Sequence, residues 1–251
     1  MIKKMAAAFR CRCSVDCQLS LLSGLNLYHA LCDNVSVYSC GQEQLDEMLK
    51  GGLYSNEFTE IVGTIGSGKS QFCLAFVATL IANTNGRVLF IDTTGSFSVF
   101  RVAEILLAKH STFEMKQVSA LLARVIYEKS YCQKQLNEIL DSVCRNVEGI
   151  RNNLKAIIID HVGTILSPTL VQARLRGMQD MMRTAMKLRD LAKCYNLCVL
   201  AVNNGVEKEN GDLQPSLGSC AQLLRSARSD CTASVRFSID AQGLVLPCSG
   251  E

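Results

Sequence analysis

The sequence predicts an α/β domain, with a largely parallel β-sheet flanked by helices and antiparallel strands near the C-terminus. Three observations lead to this fold class. A buried strand, a glycine-rich loop and an apolar helix follow one another over residues 58–80. Short runs of β-branched and apolar residues then alternate with segments of helical periodicity. The chain has 251 residues, of which 48% are hydrophobic, so it can bury one sizeable core.

The predicted elements alternate along the chain. A short helix over residues 42–50 ends at the pair Gly51 and Gly52. Strands are predicted at residues 58–62, 87–91, 123–127, 156–159 and 197–202. Helices are predicted at residues 71–80, along the apolar positions from 136 to 147, and along those from 178 to 192. Alternating residues at 235–239 and an apolar run at 244–246 predict an antiparallel hairpin.

The loop after the first buried strand fits the phosphate-binding pattern G-x-x-x-x-G-K-[ST]. Its backbone N–H groups would curl around a polyphosphate, which the N-terminus of the next helix would face. Lys69 would reach the β- and γ-phosphates, and the Ser70 hydroxyl would ligate Mg²⁺. A plain glycine-rich turn is the alternative, but the flanking strand and helix favour a nucleotide site. The predicted nucleotide-binding residues are Gly63, Thr64, Ile65, Gly66, Ser67, Gly68, Lys69 and Ser70.

A nucleotide site of this kind needs a second acid to hold its metal ion. Asp160 directly follows the β-branched strand at residues 156–159, at the sheet edge where the phosphate loop would also lie. The alternative is an Asp that only caps the next turn. We therefore predict ATP and Mg²⁺ as cofactors, with Ser70 and Asp160 on the metal side.

Composition limits the class of protein and its organisation. The net charge of +3 gives no strong field that would draw the chain onto nucleic acid or a membrane. No apolar run is long enough to cross a bilayer, so no membrane partner is expected. The thirteen cysteines are expected to be thiols in a reducing interior. We divide the chain into a basic, cysteine-rich extension (1–25), a linker with a strand (26–41) and the core (42–251).

Several motifs, taken in order, resemble one known family. They are Gly51-Gly52-Leu53-Tyr54, the phosphate loop, Val88-Leu89-Phe90-Ile91-Asp92-Thr93 and Gln214-Pro215-Ser216-Leu217-Gly218. Together they resemble the RecA-type recombinases of eukaryotes, and among these the D-type paralogues of the Rad recombinase. The resemblance runs from about residue 26 to residue 246. It implies a RecA-like P-loop ATPase core.

The resemblance also implies a role and partners. A member of this family would act in homologous recombination and DNA repair in the nucleus. It would form a hetero-oligomer with the recombinase, another recombinase paralogue or both, and would contact single-stranded DNA weakly or through that complex. Asn203 and Asn204 correspond to a polar strand end that senses phosphate in the family.

Three departures from the family pattern concern activity. The active recombinases carry a catalytic glutamate after Asp92-Thr93, where this chain has Thr94. A threonine hydroxyl cannot act as the base that a carboxylate provides. Only about 25 residues precede the linker, fewer than the family's helical DNA-binding domain needs. The loop after Asn204 holds Glu207, Glu209 and Asp212, whose charge repels DNA phosphates.

The candidate interaction surfaces lie elsewhere. Basic residues that could face DNA phosphates or a partner are Arg174, Arg176, Arg225 and Arg228, although such a charge run is commonly a solvated helix face. Leu27, Tyr28 and Ala30 loosely match the family's docking motif, and Val35-Ser36-Val37-Tyr38 is the strand-like part of the same linker. The open alternative is that this segment folds back on its own core.

Two functions remain open from the sequence. The first is an ATP-binding recombinase paralogue that assists or remodels the recombinase filament on single-stranded DNA, with weak or absent hydrolysis. The second is an active DNA-stimulated ATPase with its own recombinase or motor activity. Thr94 and the acidic second loop favour the first.

Overall fold

The computed structural model describes residues 35–172, 174–207, 213–215, 238–240 and 243–245. The helices are α1 (Glu43–Met48), α2 (Lys69–Asn83), α3 (Val99–Lys109), α4 (Met115–Leu122), α5 (Gln133–Arg145), α6 (Val162–Gln172) and α7 (Arg174–Tyr195). The strands are β1 (Val37–Tyr38), β2 (Leu53–Tyr54), β3 (Phe58–Gly63), β4 (Arg87–Asp92), β5 (Val125–Lys129), β6 (Leu154–Asp160), β7 (Cys198–Glu207), β8 (Leu213–Pro215), β9 (Ser238–Asp240) and β10 (Gly243–Val245). A 3₁₀ turn spans Val147–Gly149.

The central sheet has the strand order β3-β7-β6-β4-β5, and each of these neighbours pairs in parallel. The short strand β8 pairs antiparallel with β7. Strands β9 and β10 form a separate antiparallel pair, so the C-terminal hairpin is also confirmed in its described part. The α/β fold class that the sequence predicts is therefore confirmed.

Helices cover both faces of the sheet. On one face, α2, α3 and α4 pack against the alternate strand residues that include Phe90, Ile158 and Leu200. On the other face, α5, α6 and α7 pack against the intervening residues, such as Ile91 and Ile159. Because the inner strands β4, β6 and β7 are buried on both faces, they read in the sequence as continuous apolar runs.

Helix α2 is buried on almost every side, and it is the central element of its face. Its residues from Phe72 to Ile81 are all buried, and Phe76 is fully enclosed. A helix with apolar residues all round belongs in the interior of a domain. The phosphate loop thus joins β3, a strand of the central sheet, to the buried helix α2.

The sequence misplaced one strand and missed three helices. Strand β5 begins at Val125 and not at residue 123, because Ala123 and Arg124 still bond back to the last turn of α4. Helices α3, α4 and α6 were not predicted. Ser98 caps α3 by accepting a hydrogen bond from the Arg101 backbone, and the Gln117 side chain accepts one from the Glu114 backbone at the start of α4.

The described end of the linker folds onto its own core. Val37 and Tyr38 of β1 pair antiparallel with Tyr54 and Leu53 of β2. Tyr38 is buried, and the Asp46 carboxylate accepts hydrogen bonds from the Cys40 backbone at 2.7 Å and from a neighbouring serine hydroxyl. For residues 35–38 the alternative that the sequence left open, folding back on the same chain, therefore holds.

Two further features of the described residues are the apolar helices and the cysteines. No helix in the described part of the chain is both long and apolar enough to cross a membrane. Six cysteines within those residues are free thiols, of which Cys40, Cys73 and Cys198 are buried. Burial raises the pKa of these three thiols, so they pack as small apolar groups.

Candidate nucleotide site

The predicted site residues meet at the carboxyl ends of the parallel strands. The phosphate loop joins β3 to α2, and Asp92 and Asp160 end the adjacent strands β4 and β6 in register with each other. Strand β7 lies between β3 and β6, and its Asn204 pairs in register with Gly63. This is the edge at which ligands bind in parallel α/β sheets.

Glycines give the phosphate loop a conformation that other residues resist. Gly66 and Gly68 have φ angles of 81° and 85°, in the left-handed region. A Cβ on Gly63 would lie 2.5 Å from the Ser67 hydroxyl oxygen, so a side chain there would collide with the loop. Around Gly66 there is open space. The loop therefore forms an open concave turn before the N-terminus of the 15-residue helix α2, a geometry that suits a phosphate.

Lys69 lies folded into this turn. Its ammonium nitrogen donates hydrogen bonds to the carbonyl oxygens of Gly63 at 2.8 Å and Thr64 at 2.6 Å. Burial lowers the pKa of Lys69, and the charge of Asp160 partly opposes that shift. A buried cation held on loop carbonyls could transfer to phosphate oxygens, which are stronger acceptors because they carry charge.

Asp160 is fully buried at the end of β6. One carboxylate oxygen, Oδ2, accepts a hydrogen bond from the Ser96 hydroxyl at 2.5 Å. The other, Oδ1, lies 2.9 Å from Nδ1 of His161 but has no well-aligned hydrogen bond to any described residue. Burial alone would raise the pKa of Asp160, but the nearby His161, Ser96 and Ser70 groups outweigh it and hold that pKa below its usual range. Asp160 is thus a carboxylate at neutral pH.

These residues fit a Mg²⁺ ion that is bound together with a nucleotide. The buried Oδ1 of Asp160 lacks a hydrogen-bond donor, and Ser70 is close enough to lower the pKa of the same carboxyl group. Among the described residues no group of three or more His, Cys, Asp or Glu side chains could hold a metal by itself. A site with one carboxylate and one hydroxyl is typical of Mg²⁺, which takes its other ligands from water and phosphate.

Asp92 is a structural anchor that the sequence did not reveal. It is 1% exposed, and its Oδ1 accepts backbone hydrogen bonds from Thr94 at 3.0 Å and Gly95 at 2.7 Å. Further N–H groups of Ser96 and Phe97 bind the same carboxylate. Burial would raise the pKa of Asp92, but these four N–H groups together lower it. The short spacing from the Asp to the glycine at residue 95 was the only sequence signal of such a turn.

Thr94 lies on the surface of the loop that Asp92 holds. Its hydroxyl donates a hydrogen bond to the Ser96 hydroxyl oxygen at 3.2 Å. Asp92 does not take the place of a glutamate here, because its carboxylate accepts hydrogen bonds from four N–H groups and a tyrosine hydroxyl. The arrangement can hold phosphate and metal, but at this position it offers no base.

The structure separates the two asparagines. Side chains alternate between the faces of a strand, so Asn203 and Asn204 point in opposite directions. The Asn203 amide donates to the Glu60 carboxylate at 2.9 Å on the face of α5, α6 and α7. Asn204 lies on the face of the phosphate-loop helix, and its buried Oδ1 has no hydrogen-bond donor among the described residues. Of the two, Asn204 is the one placed to face a phosphate.

The other predicted surfaces lie mostly outside what the structure describes. Arg174 and Arg176 begin helix α7, but their side chains are not part of the described structure. The candidates Arg225, Arg228, Leu27, Tyr28 and Ala30 fall outside the described residues altogether. Further along α7, Arg183 pairs with Asp180 and Lys187 with Asp141, at 3.2 and 2.7 Å. Each of these two basic side chains is thus paired with a carboxylate of this chain.

Comparisons with known proteins agree with this geometry. The family model described as Rad51 matches residues 33–220. The chain is 30% identical over 211 residues to "DNA repair protein RAD51 homolog 4" of Bos taurus, covering 82% of this chain and 64% of that protein. It is 30% identical over 196 residues to "DNA repair protein RAD51 homolog 2" of Homo sapiens, covering 73% and 49%.

An archaeal protein is similar to the same degree. The chain is 30% identical over 188 residues to "DNA repair and recombination protein RadA" of Cenarchaeum symbiosum, covering 72% of this chain and 45% of that protein. The chain thus spans less than two thirds of the length of these relatives.

We predict that Asp92→Asn destabilises the protein at pH 7 by about 1–3 kcal/mol, because an amide removes the charge that four N–H groups bind. A lowered folded-state pKa contributes stability above the unfolded pKa of about 4 and loses it as pH falls through the folded value. The difference in unfolding free energy between wild type and Asp92→Asn should therefore become smaller below about pH 4. Urea unfolding of both proteins at pH 7, 5 and 3.5 measures this difference.

The matched control is Asp141→Asn, which neutralises a half-exposed carboxylate paired with Lys187. Its effect should stay below about 1 kcal/mol. If the loss of unfolding free energy in Asp92→Asn is the same at pH 7 and pH 3.5, the Asp92 carboxylate does not anchor the loop through its charge.

Proposed function

The chain belongs to the Rad51 family, and on that basis we propose that it is an ATP-binding recombinase paralogue of the D type. It would assist or remodel the recombinase filament on single-stranded DNA, in homologous recombination and DNA repair in the nucleus. The relatives named as homolog 4 of the recombinase support the D type, and their names as DNA repair proteins support the process.

One observation carries the proposal. The glycine turn, Lys69, Ser70 and Asp160 meet at one sheet edge, while the position that would hold a base is Thr94. This set of groups favours binding of a nucleotide over its hydrolysis. Binding without rapid hydrolysis suits a subunit that works by holding a conformation or an interface.

Each residue has a distinct part in the proposed binding. The N–H groups of residues 63–70 and the N-terminus of α2 would bind the phosphates, with Lys69 moving from the loop carbonyls onto them. Ser70 and Asp160 would hold Mg²⁺, which supplies positive charge against the β- and γ-phosphates. Asn204 would sense the phosphate from the β7 side.

Slow hydrolysis follows from what Thr94 cannot do. A carboxylate near neutral pH can accept a proton from water and orient it, and a hydroxyl of far higher pKa cannot. Asp92 does not replace it, because its oxygens already accept four N–H groups. The alternative function, a robust DNA-stimulated ATPase, would need a base at this position, and Thr94 does not provide one.

The proposed partners are the recombinase, another recombinase paralogue or both, in a hetero-oligomer. Support comes from the names of the relatives and from the docking-like positions Leu27, Tyr28 and Ala30. Contact with single-stranded DNA would be weak or made through that complex, since the segment after Asn204 carries Glu207, Glu209 and Asp212, whose charge repels DNA phosphates. In this proposal residues 1–25 form an extension, residues 26–41 a linker and residues 42–251 the nucleotide-binding core.

We predict that Lys69→Ala lowers the affinity for MgATP at least several-fold, because it removes the positive charge that would contact the phosphates. Lys116→Ala, which removes an exposed lysine on α4, is the matched control and should bind like wild type. Titration with a fluorescent ATP analogue measures both. Equal affinities for wild type and Lys69→Ala would rule out the phosphate-loop assignment.

The wild-type protein should hydrolyse ATP more slowly than about one turnover per second, and Thr94→Glu should raise that rate. The added carboxylate supplies a base at the loop that Asp92 fixes. Thr94→Gln has a similar length but no charge, and it should not raise the rate. A Glu variant that stays folded, binds ATP and gains nothing over the Gln variant counts against the missing-base explanation.

The double substitution of Leu27 and Tyr28 by Asp should weaken the complex by roughly 2 kcal/mol or more, because buried apolar anchors dominate such interfaces. Co-expression with affinity-tagged recombinase and with each paralogue, followed by pull-down, measures the loss. Thermal melts of the isolated proteins serve as the control. Retained binding shows that the linker is not the contact, and a much lower melting temperature shows that it packs on its own core.

A further inference from the structure

We propose that Ser96 is a positioning residue for the metal-side carboxylate, Asp160. This inference rests on the proposed MgATP binding and adds to it a residue outside the phosphate loop. Through its hydroxyl, Ser96 would fix the orientation of Asp160 and so raise the affinity for MgATP without touching the nucleotide.

The Ser96 hydroxyl makes a short, well-aligned hydrogen bond to this carboxylate, which His161 and Ser70 also approach. The 2.5 Å contact joins Ser96 Oγ to Oδ2 of Asp160, whose side chain is fully buried. Such a short O–H···O⁻ contact is the geometry of a strong, charge-assisted hydrogen bond. With Oδ2 occupied in this way, Oδ1 is the oxygen left for the metal side: it has no well-aligned hydrogen bond, although Nδ1 of His161 lies 2.9 Å away.

The direction of the Ser96 hydrogen bond follows from the charge of Asp160, because an ionised carboxylate can only accept. A serine hydroxyl has one proton to donate and lone pairs with which to accept. The Ser96 proton therefore goes to Asp160, and Ser96 Oγ can accept from the Thr94 hydroxyl, which lies 3.2 Å away. Thr94 thereby has a structural part in the site, although it provides no base.

The loop that carries Ser96 is held in place independently of Asp160. Backbone N–H groups of residues 94 to 97, Ser96 among them, bind the Asp92 carboxylate. The hydroxyl of Tyr127 also donates to Asp92, and its ring stacks on Phe97 at a centroid distance of 5.0 Å. Ser96 is therefore presented from a rigid loop, which a positioning group requires.

Outer groups that orient a metal-side carboxylate typically change metal affinity by 10–100-fold when they are removed. Ser96→Ala should therefore weaken MgATP binding roughly 10-fold, and Ser96→Thr, which keeps the hydroxyl, should restore it. ATP binding in EDTA should be the same in wild type and both variants, because the phosphate loop and Lys69 are unchanged. Calorimetric titration of ATP with Mg²⁺ and with EDTA measures this split.

Two further variants sharpen the test. Thr94→Val removes the hydroxyl next to Ser96 but leaves the Ser96 contact with Asp160. In the presence of Mg²⁺ it should weaken ATP binding less than Ser96→Ala does. Ser96→Cys keeps the size of the side chain with a weaker donor and should fall between Ser and Ala. If Ser96→Ala does not fold by thermal melting, the Cys and Thr variants carry the comparison.

The outcomes separate this inference from the function on which it rests. Equal losses in Mg²⁺ and EDTA would show that Ser96 only supports the fold. If Ser96→Ala binds MgATP as tightly as wild type, Ser96 does not position Asp160. If it binds MgATP more tightly, the positioning role is also wrong, because the serine then blocks the metal side. A wild-type protein that binds no ATP in either buffer refutes the proposed function itself, and the inference falls with it.

Discussion

The candidate site depends on one constraint, the pairing of β4 and β6 so that their last residues, Asp92 and Asp160, lie side by side. Two buried carboxylates at adjacent strand ends would be costly if neither had partners. Each has a distinct set of donors. Asp92 binds the backbone of the loop that follows it, and Asp160 binds the Ser96 hydroxyl of that same loop. The loop therefore links the two strand ends, and the Thr93 hydroxyl adds a further bond to the backbone oxygen of Asp160 at 2.8 Å.

The groups suited to binding and the groups near the base position come from different parts of the site, so such a site can bind ATP without hydrolysing it rapidly. The groups that fit phosphate and Mg²⁺ come from the end of β3 and from the buried elements α2 and β6. The groups near Thr94 serve to hold the loop. Removing one catalytic carboxylate from such a site changes the rate far more than the affinity, since the binding contacts lie elsewhere. The site is thus suited to a subunit whose nucleotide state matters more than its turnover.

The sequence predicted the parts of the fold that local pattern determines. The order of β3, the phosphate loop and α2, and the place of Asp160 at a strand end, follow from short apolar runs and glycine spacing. Helix α3 was missed because Phe100 and Leu107 are apolar yet exposed, which obscures the amphipathic period. The anchoring by Asp92 and the Ser96 contact could not be predicted, because they depend on the φ and ψ angles of a turn and on a partner 64 residues away.

The central claim of the proposal is that the site holds ATP for minutes with weak or absent hydrolysis, and it can be measured directly. A slight excess of protein is incubated for several minutes with limiting radiolabelled ATP and Mg²⁺, then separated from free nucleotide by rapid gel filtration, and the bound nucleotide is identified. Lys69→Ala in parallel reports contaminating ATPases. We predict that the protein elutes with ATP and little ADP. Protein that elutes with ADP, under conditions in which Lys69→Ala leaves the ATP intact, would contradict the account.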